Sequence, residues 1–248
     1  MTATTHKFGI EIETTIPKTD TTAAGSYHHG TPIPWAPIGW NAQSDSSIHP
    51  DQADYKGIEI VSPILSGLDG LGQICEVMDS LKARRACPNK STGLHVHVDA
   101  RRLSALDIHK LQSLFVKMEK FFLALNGEDT ANRIGNIYCR SVQGVNPADW
   151  LNSRYFSLNV ANWSQYTVKK TVEFRLFSST HNIDRVLAIV SLCVGMVEAA
   201  VDGIEGEGVE LLETILTNYP IAPGVPVHDL IDMIRQWIAE GNEVLSHA

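Results

Sequence analysis

From residue 7 to residue 14 the chain alternates. In KFGIEIET, Phe8, Ile10 and Ile12 fall on one parity, and Glu11 and Glu13 fall on the other. Residues two apart in a strand share a face. The run therefore predicts a strand with an apolar side and two carboxylates on the opposite side. The pattern returns three times. In GIEIVS (57–62), Glu59 opposes Ile58 and Ile60. In GLHVHVD (93–99), His95, His97 and Asp99 oppose Leu94, Val96 and Val98. In TVEFRLF (171–177), Glu173 and Arg175 oppose Val172, Phe174 and Leu176. A further strand is expected over 154–160.

Helical spacing of apolar residues predicts helices over 68–85, 103–125, 183–201, 207–216 and 227–240. Ser104 is placed to cap the second of these, and Asn126-Gly127 to end it. Residues 17–37, rich in Pro, Gly, Thr and His, read as a long loop, either a mobile cover over a site or simply unstructured. Strands and helices come in mixed order without regular βαβ alternation, which favours an α+β fold with a largely antiparallel sheet.

Composition narrows the field. The chain has 248 residues, is 44% hydrophobic and carries a net charge of −8, which argues against a nucleic-acid or anionic-membrane surface. The longest apolar run, 186–197, is too short to span a bilayer, and the first residues lack the apolar core of a secretory leader. Cys75, Cys87, Cys139 and Cys193 form no CxxC and are expected to be reduced thiols. A cytoplasmic protein is the expectation.

The polar faces carry glutamates, histidines, Asp99 and Arg175, with no lysine inside these stretches. One reading is an ordinary solvated sheet face. The other starts from repulsion. Carboxylates ~4–5 Å apart repel by several kcal/mol at an effective dielectric near 20, so raised pKa values or bound cations must offset it. Glutamates with a histidine suit Mg²⁺ or Mn²⁺. An HxH pair also serves barrel-type zinc hydrolases, but there it lies on the first strand, whereas here the first strand carries ExE.

Taken in order, FGIEIE (8–13), Trp40, Asp45-Ser46-Ser47, GIEIVSPIL (57–65), TGLHVHVDA (92–100), RYFSLN (154–159) and TVEFRLFSST (171–180) resemble the amidoligase type 2 family, carboxylate–amine ligases related to glutamine synthetase. The resemblance implies a single catalytic domain over 1–248, motif-bearing over about 7–180 and helical over about 181–248. It implies a curved, mainly antiparallel sheet, with helices packed on its convex side. It also implies ATP with two or three Mg²⁺ (or Mn²⁺) ions, acyl-phosphate chemistry, and small-molecule or peptide carboxylate and amine substrates. Glu11, Glu13, Glu59, His95 and Glu173 look like metal ligands. Arg175 looks like the phosphate contact, and Glu59 and Arg154 look like further catalytic groups. His97 and Asn159 look like nucleotide or substrate contacts, although His97 also suits a plain sheet-face role and Asn159 a tie between strands. The larger relatives carry further acidic ligands in mid-chain, where only Glu59 is clear here: either Asp45 substitutes or fewer ions bind. Arg133 and Arg140 flank a loop that either holds an anion or simply lies on the surface, surface arginine being the expectation. The alternatives are a metal-dependent hydrolase and a non-catalytic nucleotide-binding relative. Neither the substrates nor the oligomeric state can be read from the residues.

Overall fold

The computed structural model describes residues 6–164, 170–220 and 227–247. The strands are β1 (Lys7–Pro17), β2 (Thr31–Pro32), β3 (Asn41–Gln43), β4 (Tyr55–Val61), β5 (Leu65–Ser66), β6 (Gly93–Asp99), β7 (Leu158–Asn159) and β8 (Thr171–Ser178). The helices are α1 (Gly67–Ala83), α2 (Ala105–Ala124), α3 (Pro147–Trp150), α4 (Ala161–Ser164), α5 (Ile183–Val201), α6 (Gly208–Asn218) and α7 (Val227–Ser246), with a 3₁₀ turn at Gly127–Asn132. The strands form one antiparallel sheet in the order β2-β3-β4-β1-β6-β8-β7, and β5 pairs with the start of β1.

The apolar parity of the strands is the buried side. Ile10, Ile12, Ile58, Ile60, Leu94, Val96 and Val98 are buried in one core with residues of α1, α2 and α5. Aromatic rings join α2 to β8: Phe122 packs against Phe115, Phe174 and Phe177 at centroid separations of 5.9, 5.9 and 6.1 Å. Helix α2 begins on a reciprocal cap. The Ser104 hydroxyl accepts from the Asp107 N–H at 3.2 Å, and the Asp107 carboxylate accepts from the Ser104 N–H at 2.9 Å. Trp40, buried in the same core, donates its indole N–H to Gln73 of α1.

Three expectations need correction. Residues 17–37 are not structureless: β1 runs on to Pro17, Gly25 bridges to Gln43, β2 pairs with β3, and Trp35 donates to Thr22. The strand expected over 154–160 shrinks to Leu158–Asn159, because the preceding residues are held by single bonds to Arg140 and by turns. Alternation in β8 is broken by a bulge opposite His95: Leu94 faces Phe177 and Val96 faces Phe174, so one residue of β6 spans Arg175 and Leu176. The bulge returns Phe177 to the apolar side, where Phe122 meets both rings.

Candidate active site

On the face opposite the helices, strand register gathers the polar residues. Glu13 pairs with Glu59 across β1 and β4, Glu11 with His95 across β1 and β6, and His97 with Glu173 across β6 and β8. Gln43 of β3 continues the first row and Asn159 of β7 the last. Two glutamates directly opposite each other are unfavourable in a sheet, and Glu13 and Glu59 are both buried, so the pair does not fit a plain solvated face.

The side chains converge. His95 Nδ1 lies 3.2 Å from Glu11 Oε2, and His97 Nε2 lies 3.2 Å from Glu11 Oε1 and 3.7 Å from Glu173 Oε1. Glu13 accepts the Gly93 N–H at 2.6 Å. Gln43 donates to Glu59, and Arg175 donates to Glu173. The Arg175 Nε is held by the Tyr138 carbonyl at 3.1 Å. Three groups of donor atoms, each mutually within 4.8 Å, emerge: Glu11–Glu59–His95, Glu11–His97–Glu173 and Glu13–Asp45–Glu59. Asp45 therefore joins the cluster, while its carboxylate also accepts from the Ser47 N–H and hydroxyl.

The electrostatics are those of crowded acids. Burial first, then the charges of Glu11, Glu13 and Asp45, push the Glu59 carboxyl up to about 8, against the opposing hydrogen bond from Gln43. Burial also pushes Glu11 up. The charge on His97 and hydrogen bonds from both histidines outweigh it and hold Glu11 well below the usual carboxylate range. Glu173 is likewise held low, burial being overcome by His97 and Arg175. The cluster thus splits into ionised members beside imidazole and guanidinium, and a member that keeps a proton when no cation is present.

Two cavities meet at this cluster. One, of about 400 Å³, is polar and is lined by Glu11, Glu13, Glu59, His95, Asp45, Arg133, Arg154 and Arg175 with Tyr27, Tyr138 and Tyr155. The other, of about 350 Å³, is lined by Glu11, His97, Phe8, Val61, Pro63 and Ile64, with Lys7 and Lys170 at its edge. Glu11 belongs to both. Arg154 sits in the turn before β7 and donates to the Tyr27 hydroxyl at 3.0 Å. Asn159 is buried away from these cavities. Its amide donates to Glu173 at 2.6 Å and accepts from the Ala161 N–H at 2.9 Å, which makes it a tie that orients Glu173. Arg133, expected at the surface, is 5% exposed. Gln43, Tyr27, Tyr138 and Tyr155 escape the alternation test because they lie in a three-residue strand or in turns. Cys75, Cys87, Cys139 and Cys193 are free thiols, as expected.

No helix among the described residues is long and apolar enough to cross a membrane. A comparison with curated proteins finds no match. Among solved structures, glutamine synthetase of Plasmodium falciparum aligns over 98% of this chain and 72% of its own, with 12% sequence identity and a TM-score of 0.46. The model of the family described as "Putative amidoligase enzyme" matches residues 4–145. That segment holds Glu11, Glu13, Asp45, Glu59, His95 and His97, while Arg154, Asn159, Glu173 and Arg175 follow it. Matched over more than half its length, the chain belongs to this amidoligase family.

Proposed function

We propose that the protein is an ATP-dependent carboxylate–amine ligase that forms an amide or isopeptide bond through an acyl phosphate. The observation that carries this reading is the register that gathers Glu11, Glu13, Glu59, His95, His97 and Glu173 on one face, with Arg175 bonded to Glu173. The donor set fits Mg²⁺ or Mn²⁺: hard carboxylate oxygens dominate, and the crowded acids that lift Glu59 need positive charge. Glu11, Glu13, Asp45, Glu59, His95, His97 and Glu173 would hold the ions. Bound there, the ions would neutralise phosphate oxygens as charge moves from one to the next.

The chain's own residues divide the remaining work. Arg175, fixed by Glu173 and the Tyr138 carbonyl, presents a guanidinium where a transferring phosphoryl group needs charge. The apolar walls Phe8, Val61, Pro63 and Ile64 suit a planar base, with Lys7 and Lys170 near its phosphates. The polar cavity, with Arg154 and three tyrosines, suits the acid substrate. Asn159 and Gly93 hold Glu173 and Glu13 in place, so the carboxylates do not reorganise during the reaction.

Thermal unfolding with Mg²⁺ alone, Mg²⁺ plus ATP, and Zn²⁺ alone tests the reading. A ligand at ~100 times its dissociation constant adds about 2.7 kcal/mol. Mg²⁺-ATP should stabilise the wild type and leave Glu173→Ala unmoved. Stabilisation by Zn²⁺ alone, with ATP inert, would instead favour hydrolysis through the HxH pair.

A further inference from the structure

Among the described residues three glycines lie in strands: Gly9 in β1, Gly57 in β4 and Gly93 in β6. Glycine weakens a strand, so each calls for a reason. Two have a steric one. A Cβ on Gly57 would lie 2.8 Å from Ile48 Cγ2, and a Cβ on Gly93 would lie 3.1 Å from His95 Nε2 and 3.2 Å from Arg133 Nη2. Gly9 has none. Its φ is not positive, and a Cβ there would meet only Ser62 Oγ at 3.4 Å and the Pro63 carbonyl oxygen at 3.8 Å, both ordinary van der Waals contacts. The fold would accept a side chain at residue 9.

What lies over Gly9 supplies the reason. Its parity is that of Glu11 and Glu13, so its bare Cα faces the active-site side of the sheet. Across the sheet it pairs with His97 of β6. On its other side runs the turn after β4, where the Ser62 N–H donates to the Ile10 carbonyl at 3.0 Å and the Ser62 hydroxyl accepts from the Ile10 N–H at 2.9 Å. Lys7 and Glu11 stand two residues away in either direction along β1. The gap left between them belongs to the cavity of about 350 Å³, whose walls include Pro63, Ile64 and His97. Ile64 is 73% exposed at its edge, and His97 is held by Glu11 at 3.2 Å. A strand glycine of this kind marks a place where a ligand comes close to the backbone.

We propose that Gly9 is a specificity-determining residue: the base of the nucleotide lies flat on its bare backbone, and the missing side chain is what admits the base. A ring in this slot would pack against Pro63 and Ile64 on one side and His97 on the other. The inference rests on the ATP-dependent reading and deepens it, because it assigns the base, and not the phosphates, to the gap at residue 9.

Isothermal titration with Mg²⁺-ATP and with Mg²⁺-tripolyphosphate, which has the phosphates and no base, tests the proposal. Three proteins are compared: the wild type, Gly9→Ala and Gly9→Val. Urea unfolding without ligand shows whether each variant is folded. Gly9→Ala adds one atom that makes only ordinary contacts, so it carries the test even if Gly9→Val does not fold. ATP should bind the wild type more tightly than tripolyphosphate does. Its affinity should fall about tenfold in Gly9→Ala and about a hundredfold in Gly9→Val, the scale of forcing one and then three carbons into a filled contact. Tripolyphosphate should bind all folded proteins equally. ATP affinity unchanged in the folded variants would overturn the proposal and leave the ligase reading standing. So would an equal loss for tripolyphosphate, or wild-type binding of ATP no tighter than that of tripolyphosphate. A wild type that binds no Mg²⁺-ATP at all would overturn the ligase reading, and the proposal with it.

Discussion

Replacing Glu59 by glutamine tests the electrostatics of the cluster. Burial and neighbouring acids lift its carboxyl from the ordinary 4.5 to about 8. A carboxyl raised by folding binds its proton more tightly in the folded state, so it favours folding most at acid pH, and this contribution is lost as pH rises from the unfolded toward the folded value. Between pH 6.5 and pH 8 the fall is at most 1.36 kcal/mol per unit and half that at pH 8, where the folded carboxyl is half-ionised, so it comes to just under ~2 kcal/mol. His6, lowered to about 4 chiefly by burial, acts below this window. Glutamine keeps the shape and an oxygen for Gln43 but does not titrate. Urea unfolding of EDTA-treated protein across this range should show the wild type falling by about 2 kcal/mol relative to Glu59→Gln. Saturating Mg²⁺ should abolish the wild type's fall, because a cation replaces the proton. Equal pH slopes for the two EDTA-treated proteins would refute the reasoning.

Two further substitutions probe the frame of the site and the core behind it. A Cβ at Gly93 would lie 3.1 Å from His95 Nε2 and 3.2 Å from Arg133 Nη2, so Gly93→Ala should lower kcat/KM for ATP turnover more than tenfold, against a stability cost of about 1–2 kcal/mol in urea. Phe122→Ala removes the fully buried ring that joins α2 to β8 and should cost about 3–5 kcal/mol in the same assay, with the Mg²⁺-ATP response of the remaining folded protein retained.

Period-two alternation made four of the strands and their polar faces legible, because each is flanked by neighbours that bury one side only. Glu11, Glu13, Glu59, His95 and Glu173 therefore fall on the polar faces of their strands from alternation alone. Their grouping does not follow: it depends on register, and only the pairing of Glu13 with Glu59 and of Glu11 with His95 says which donors meet. Short elements were missed for a related reason. Asn41–Gln43 and Leu158–Asn159 are too brief to show a period, yet they carry Gln43 and Asn159, the two amides that position carboxylates. The bulge at Arg175 and Leu176 breaks the alternation that predicted it regular. Arg133 was misplaced because nothing local to an Asn-Arg-Ile-Gly turn signals burial, which is imposed by the backbone of β6 and β8 packed against it.

In the proposed reaction a carboxylate is activated by phosphoryl transfer from ATP. Oxygen tracing tests it most directly. Carboxylic acids labelled with ¹⁸O, from free glutamate to peptide side chains, are incubated with Mg²⁺-ATP, an amine and the protein, and the released phosphate is weighed by mass spectrometry. When the amine displaces phosphate from an acyl phosphate, one carboxylate oxygen leaves with the phosphorus. Phosphate carrying one ¹⁸O, formed only when acid and amine are both present and absent with Glu173→Ala, is the predicted result. Phosphate released without the label, or no phosphate released with any acid–amine pair, would contradict it.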